Sequence, residues 1–314
     1  MTLPETLQEA IKFFADPDQA FAYAVMLRWP DGKVTCPRCG SDRHSFVKTR
    51  RLWYCNPCKK QFTLKVGTIF EDSPLGMDKW MVAIWMLVGC CKNGISSYEL
   101  ASDLGITQKS AWFMLHRIRK ALQSGTFVKL AGEVEVDETF IGGKARNMHA
   151  SKRAQRIHGT GGNDKVAVMG LLERGGEVRT AIVPNRKRAA LQSEVHKHVA
   201  AGSALYSDAL ASYDGLNGEF FHEVVDHAVE YVRGNVHTNG LENFWSLVKR
   251  ALKGTYVSVE PFHLHRYLDE EAFRFNHRKD MNTAERFALA MSQVSGKRLT
   301  YAELTGKEGG QLHS

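Results

Sequence analysis

The residues best suited to chemistry in this chain are three widely spaced carboxylates. They are Asp137 in Glu133-Val134-Glu135-Val136-Asp137-Glu138-Thr139, Asp208 in Leu205-Tyr206-Ser207-Asp208, and Glu242 in His237-Thr238-Asn239-Gly240-Leu241-Glu242-Asn243-Phe244-Trp245. Asp137 interrupts a strand pattern, Val134, Val136 and then Thr139-Phe140-Ile141, where an inward carboxylate is costly unless a cation meets it. Asp208 ends the short apolar run Ala204-Leu205-Tyr206, which a neighbouring strand could set beside Asp137. Glu242 lies on a predicted helix with the buried stripe Leu241, Trp245, Val248 and Leu252. It stands about 90° from the centre of that stripe and nearly in line with Lys249, two turns on. Three carboxylates from two strands and a helix suit a pair of Mg2+ ions, which take oxygen ligands. The chemistry of such a pair is phosphodiester transfer, one ion activating a water or 3′-hydroxyl and the other stabilising the departing oxygen, with Lys249 holding a phosphate nearby. By spacing alone the same residues also fit plain strand-end and helix-surface acids. Glu138, next to Asp137, is expected on the opposite face of the strand and outside this set. Asp214 and Asp226 are weaker alternatives to Asp208, since neither follows a strand end.

A second constellation is four cysteines in two pairs, Cys36-Pro37-Arg38-Cys39 and Cys55-Asn56-Pro57-Cys58, with 15 residues between the pairs. Four thiolates at this spacing predict one tetrahedral Zn2+, and a filled shell leaves no position for substrate, so the metal is structural. An iron site or a redox pair is the rival reading. Gly40 after the first pair and a β-like segment from Arg50 to Tyr54 predict a zinc ribbon. Cys90 and Cys91, adjacent at the end of an apolar run, read as core packing and form no disulfide framework.

These residues need elements to position them. Residues 1–30 carry a helical stripe that ends at Trp29-Pro30-Asp31-Gly32, and residues 31–70 form the ribbon. Residues 71–125 form a helical module. In it Met77 to Lys92 is one helix, and a pair follows: Ser96-Ser97-Tyr98-Glu99 caps a short helix, Gly105 permits a turn, and Thr107 caps Gln108 to Leu122. That arrangement predicts a helix-turn-helix-like DNA-binding unit, with Lys109 and Arg117 among the contacts, although such hairpins also serve as packing units. From about residue 130 to 285 the pattern becomes α/β, with strands at Val134 to Ile141, Val166 to Leu172, Val178 to Val183 and Leu205 to Tyr206, and helices near 187–200 and 238–253. Residues 142–165 form a basic loop whose Lys144, Arg146, Lys152 and Arg153 are candidate phosphate contacts. Residues 286–314 are expected to be a C-terminal tail.

With 42 Lys plus Arg against 34 Asp plus Glu, the net charge is +8, which favours a polyanionic partner such as DNA or belongs to an ordinary basic enzyme. The longest apolar run, Trp80 to Cys91, is too short for a membrane span, and no leader-like segment opens the chain, so a cytoplasmic protein is expected.

Several stretches are similar to the ISXO-type DDE transposases, bacterial insertion-sequence enzymes with an N-terminal zinc ribbon. They are Arg28-Trp29-Pro30-Asp31-Gly32, Cys36-Pro37-Arg38-Cys39-Gly40, Gly67-Thr68-Ile69-Phe70, Glu135-Val136-Asp137-Glu138-Thr139-Phe140-Ile141-Gly142-Gly143, and His237 through Arg250. The resemblance implies an RNase H-like catalytic domain preceded by the ribbon and the helical module. It implies Asp137, Asp208 and Glu242 as ligands of two Mg2+ or Mn2+ ions, Lys249 as the family's basic residue seven positions after the third acid, and Arg250 beside it on DNA. Relatives use Asn as well as Glu at the third position, which makes Asn239 or Asn243 an alternative aid, and His237 is a further auxiliary candidate. The implied activity is binding of an element's terminal inverted repeats, strand cleavage and strand transfer into target DNA. The implied partners are DNA and at least one second copy, in a bacterial nucleoid.

Overall fold

Two side-chain caps set the first helices. Thr6 and Glu9 cap each other at the start of α1 (Leu7–Phe14), and Asp16 accepts the N–H groups of Asp18 and Gln19 ahead of α2 (Pro17–Arg28). The single stripe expected over residues 1–30 is therefore broken at Asp16-Pro17, a strong helix start. The computed structural model describes residues 4–123, 128–143, 149–151, 165–208, 210–225 and 237–307. Two compact units emerge, residues 1–123 with 279–314, and residues 124–278.

In the first unit, β1 (His44–Val47), β2 (Leu52–Cys55) and β3 (Gln61–Thr63) pair antiparallel in that order. Trp53 is the pivot of this small sheet, stacked on Phe62 and on Phe21 of α2 and edge-on to Trp29. A helix α3 (Met77–Trp85) runs into a π-helical turn over Met86–Cys90. Cys90 ends exposed at that turn, not in the core. The capped pair follows as expected, α4 (Ser97–Leu104) and α5 (Gln108–Leu122), joined through Gly105 at φ 59°, a left-handed turn that favours glycine. Ser96 accepts the Glu99 N–H and Thr107 the Ser110 N–H.

The second unit is built on a five-stranded sheet. Its strands are β4 (Glu133–Ile141), β5 (Val166–Glu173), β6 (Val178–Val183), β7 (Ala204–Asp208) and β8 (Phe221–Val225), in the order β6-β5-β4-β7-β8. The first three are antiparallel, while β7 runs parallel to β4 and β8 parallel to β7. Period-two alternation in β4 sorts its side chains. Val134 and Val136 enter one core with Leu191 and Val195 of α6 (Arg188–His198) and with Tyr213. The opposite face is covered by α7 (Asn239–Gly254) and α8 (Leu264–Asn276), through Leu241, Trp245, Val248 and Leu268 against Val168 and Leu172. Burying both faces is what a sheet with parallel members requires.

The chain then returns to the first unit. Residues expected as a tail from 286 form most of α9 (Thr283–Ser292) and all of α10 (Tyr301–Thr305). Phe287 is buried against Phe14, Tyr23 and Trp85. This return covers α5, whose Arg117 is only 4% exposed and donates to the carbonyls of Leu299 and Glu71 at 3.1 and 2.8 Å. Arg117 is thus spent inside the fold, which corrects the expectation that it contacts DNA. Lys109 remains exposed, lying over the ring of Tyr301. None of the helices among the described residues is long and apolar enough to cross a membrane.

Candidate active site and zinc site

Asp137 sits mid-strand on β4 opposite Gly170 of β5, on the face covered by α7. Parallel pairing of Val136 with Ser207 brings the next residues, Asp137 and Asp208, side by side at the end of β7. Asp137, Glu138 and Asp208 can each offer one carboxylate oxygen within 4.8 Å of the others. Glu138 was expected to stay apart. It does lie on the opposite face, where the fully buried Tyr213 donates to its Oε1. Asp208, however, closes β7, so its side chain is not walled off as a mid-strand one is, and the longer glutamate reaches it.

Burial and mutual repulsion govern this cluster. Asp137 is pushed up to about 6, first by burial and then by the charge of Asp208, with Glu242 adding to it. Glu138 is pushed up to about 7 by burial and then by Asp208 and Asp137. The buried indole N–H of Trp245 favours the Asp137 carboxylate electrostatically without reaching hydrogen-bond geometry.

Glu242 shares a cleft of about 500 Å³ with Asp137 and Glu138. It is exposed, on the first turn of α7, and stands outside the tight group of three. Lys249, Arg250 and Lys253, all exposed, line the same cleft. Asn239 is exposed at the first position of α7. His237 turns to protein partners, its Nδ1 lying 3.0 Å from Arg174 Nη2 and 3.3 Å from Glu135 Oε1. The basic residues Lys144, Arg146, Lys152 and Arg153, like Asp226, lie outside the described residues.

Gly170, which has no side chain, lets α7 sit close on the sheet. A Cβ on Gly170 would stand 2.6 Å from Trp245 Cζ2 and 2.9 Å from Leu241 Cδ2. Overpacking of this kind costs about 1–3 kcal/mol. Gly170→Ala is therefore expected to lower stability by that amount, checked as a reduced urea midpoint with the fold retained.

In the ribbon, Cys36 and Cys58 Sγ atoms are 3.8 Å apart and Cys39 and Cys55 Sγ atoms 3.5 Å apart, with all four sulfurs within 4.8 Å of one another. Tetrahedral ligation at a Zn–S distance of about 2.3 Å requires sulfurs about 3.8 Å apart, so the donor set fits zinc in number, softness and spacing. Gly40 and Lys59, each the residue after a knuckle's second cysteine, share a left-handed backbone at φ 73° and 57°. The Cys36 thiol is drawn down to about 7. Burial opposes this, but the N–H groups of Arg38 and Cys39 and the neighbouring thiols favour the thiolate.

A four-cysteine ribbon together with a mixed sheet bearing an acidic, cation-rimmed cleft defines the class: a zinc-ribbon α/β protein. Residues 129–276 match the family described as the ISXO2-like transposase domain, and residues 15–61 the transposase zinc-ribbon domain. The chain belongs to this transposase family. It is 34% identical over 101 residues to a transposase-like protein of Haemophilus influenzae, covering 32% of this chain and 81% of that protein. It is 29% identical over 258 residues to a protein of the transposable element ISH50 of Halobacterium salinarum, covering 77% of this chain and 85% of the relative.

Proposed function

We propose that this transposase binds the terminal inverted repeats of an insertion sequence, cuts a strand at each end and joins the cut end to target DNA. The observation that carries the reading is the meeting of Asp137, Glu138 and Asp208, with Glu242 across the same cleft. The strand order around Asp137, an antiparallel trio extended by two parallel strands, supports reading this unit as an RNase H-like domain.

Clustered carboxylates that repel one another and offer only oxygen donors fit hard divalent cations. When bound, two Mg2+ or Mn2+ ions would activate the attacking oxygen and offset charge on the departing one. Asp137 and Asp208 hold them from the sheet and Glu242 from α7, with Glu138 as a fourth donor. Lys249 and Arg250 hold a DNA phosphate over the acids, and Lys253 extends the cationic rim. The four cysteines hold one structural Zn2+, and Lys109 on α5 contacts DNA. Two element ends must be held together for joining, so the working species is at least a dimer.

The test uses full-length protein, Mg2+ and labelled DNA ending in the repeats that flank the gene. Cleaved and joined products are expected. Cleavage without joining would mark a metal-dependent nuclease, and binding without cleavage a DNA-binding regulator. Lys249→Ala is expected to slow cleavage at limiting DNA and to reduce the salt dependence of binding by about one phosphate contact. Parent-like rates and salt slope would remove Lys249 from the site.

A further inference from the structure

Glu242 lies on the first turn of α7, so its place in the cleft depends on what fixes that turn. The Thr238 side chain does not cap that turn. Glu135 does. It is 1% exposed on β4, on the same face as Asp137, and its Oε2 accepts the Leu241 N–H at 3.0 Å. A helix N-terminus favours an anion at that point. Glu135 Oε1 accepts from Arg174 Nε at 3.0 Å, and Arg174 Nη2 donates to the His237 carbonyl at 2.8 Å. The Arg174 guanidinium in turn lies 4.3 Å from the Tyr206 ring centroid, and Tyr206 donates to Glu133 Oε1 at 2.8 Å. Gly240 makes this approach possible, since a Cβ there would stand 2.8 Å from Glu135 Oε2 and 2.4 Å from Leu172 Cδ2.

From this geometry we infer that Glu135, braced by Arg174, is a positioning residue that sets Glu242 against Asp137. The backbone is tied to β4 at Leu241 directly and at His237 through Arg174, so the strand that carries one acid also fixes the helix that carries another. His237 belongs to this brace. The inference rests on the proposed role of Glu242 as a metal ligand.

The test compares Glu135→Ala, Glu135→Gln and Glu242→Ala in the full zinc-loaded chain, with Mn2+ as the probe and no DNA. Two quantities are read: hydrogen exchange of the amides from Leu241 to Asn243, and the Kd for Mn2+. Glu135→Ala is expected to speed exchange of those amides at least tenfold and to weaken Mn2+ binding about tenfold. Glu135→Gln keeps an acceptor oxygen for the Leu241 N–H and should restore both to within about threefold, which separates positioning from loss of charge. If Glu135→Ala does not fold, Arg174→Ala carries the same two readouts. Unchanged exchange in a folded variant would overturn the inference. So would unchanged Mn2+ affinity beside a weakened Glu242→Ala control. A Glu242→Ala protein that binds Mn2+ as the parent does would overturn the ligand role of Glu242, and the inference with it.

Discussion

Asp137→Asn is expected to lower strand cleavage by about a thousandfold or more while leaving the protein folded and able to bind its DNA ends. Metal-assisted stabilisation of a phosphoryl transition state amounts to several kcal/mol, and each 1.36 kcal/mol is about tenfold in rate. The amide keeps the size of the carboxylate, so the packing of β4 against α7 is undisturbed. It also removes a charge that Asp208, Glu138 and Glu242 all oppose. Thermal stability without added divalent ion should therefore equal or exceed that of the parent, and unfolding cannot account for the lost activity. The measurements are single-turnover cleavage of end-labelled DNA, end binding by gel shift, and a melting curve. Residual cleavage within tenfold of the parent in a folded variant would remove Asp137 from the site.

The parts of this protein legible in its sequence are those set by short-range pattern. The cysteine pairs are a two-residue spacing, and the structure brings their four sulfurs together. Leu241, Trp245, Val248 and Leu252 repeat at helical period, and all four are buried on α7. The caps at Ser96 and Thr107 are local hydrogen bonds. Asp137 stood out because a carboxylate in an otherwise alternating strand has to be answered by something else in the fold.

What the sequence left hidden depends on distant parts of the chain. Arg117 sits on a helix with an evident apolar stripe, so its charge read as outward-facing. It is buried because Leu299 and its neighbours, far along the chain, cover that side of α5. The same long-range return concealed the helices after residue 283. Glu138 shows a different limit. Alternation gave its face correctly, but whether a long side chain reaches around a strand end depends on where β7 stops. β8 escaped notice because it is an edge strand with Phe221 and Val224 exposed, so it lacks the apolar run of its neighbours. Glu135 lay in plain view beside Asp137, and its role required knowing that the amide of Leu241 comes down on it.

Cys55→Ser is expected to reduce zinc from about one ion per chain to nearly none and to unfold the ribbon. The strands β1, β2 and β3 contain only four, four and three residues. Sheets this small do not hold themselves together in water, whereas a structural zinc contributes about 10–16 kcal/mol in peptide zinc fingers, as much as the whole stability of an ordinary domain. Cys55 is the sharpest position because its sulfur is fully buried at the end of β2, where serine would leave a hydroxyl among three thiolates. Loss of the sheet would free Trp53 from Phe21 and Phe62, and Arg51 from Asp18, loosening α2 as well. A red-shifted tryptophan emission should therefore accompany the loss of zinc, and binding to the repeat ends should fall at least tenfold. Cys39→Ser, at an exposed residue, is expected to weaken zinc binding while retaining more of the ribbon. Mn2+ affinity at the acidic cleft should be unchanged in both variants, since none of its lining residues comes from the ribbon. A folded Cys55→Ser protein that keeps its full complement of zinc would show that the four thiolates are not the site.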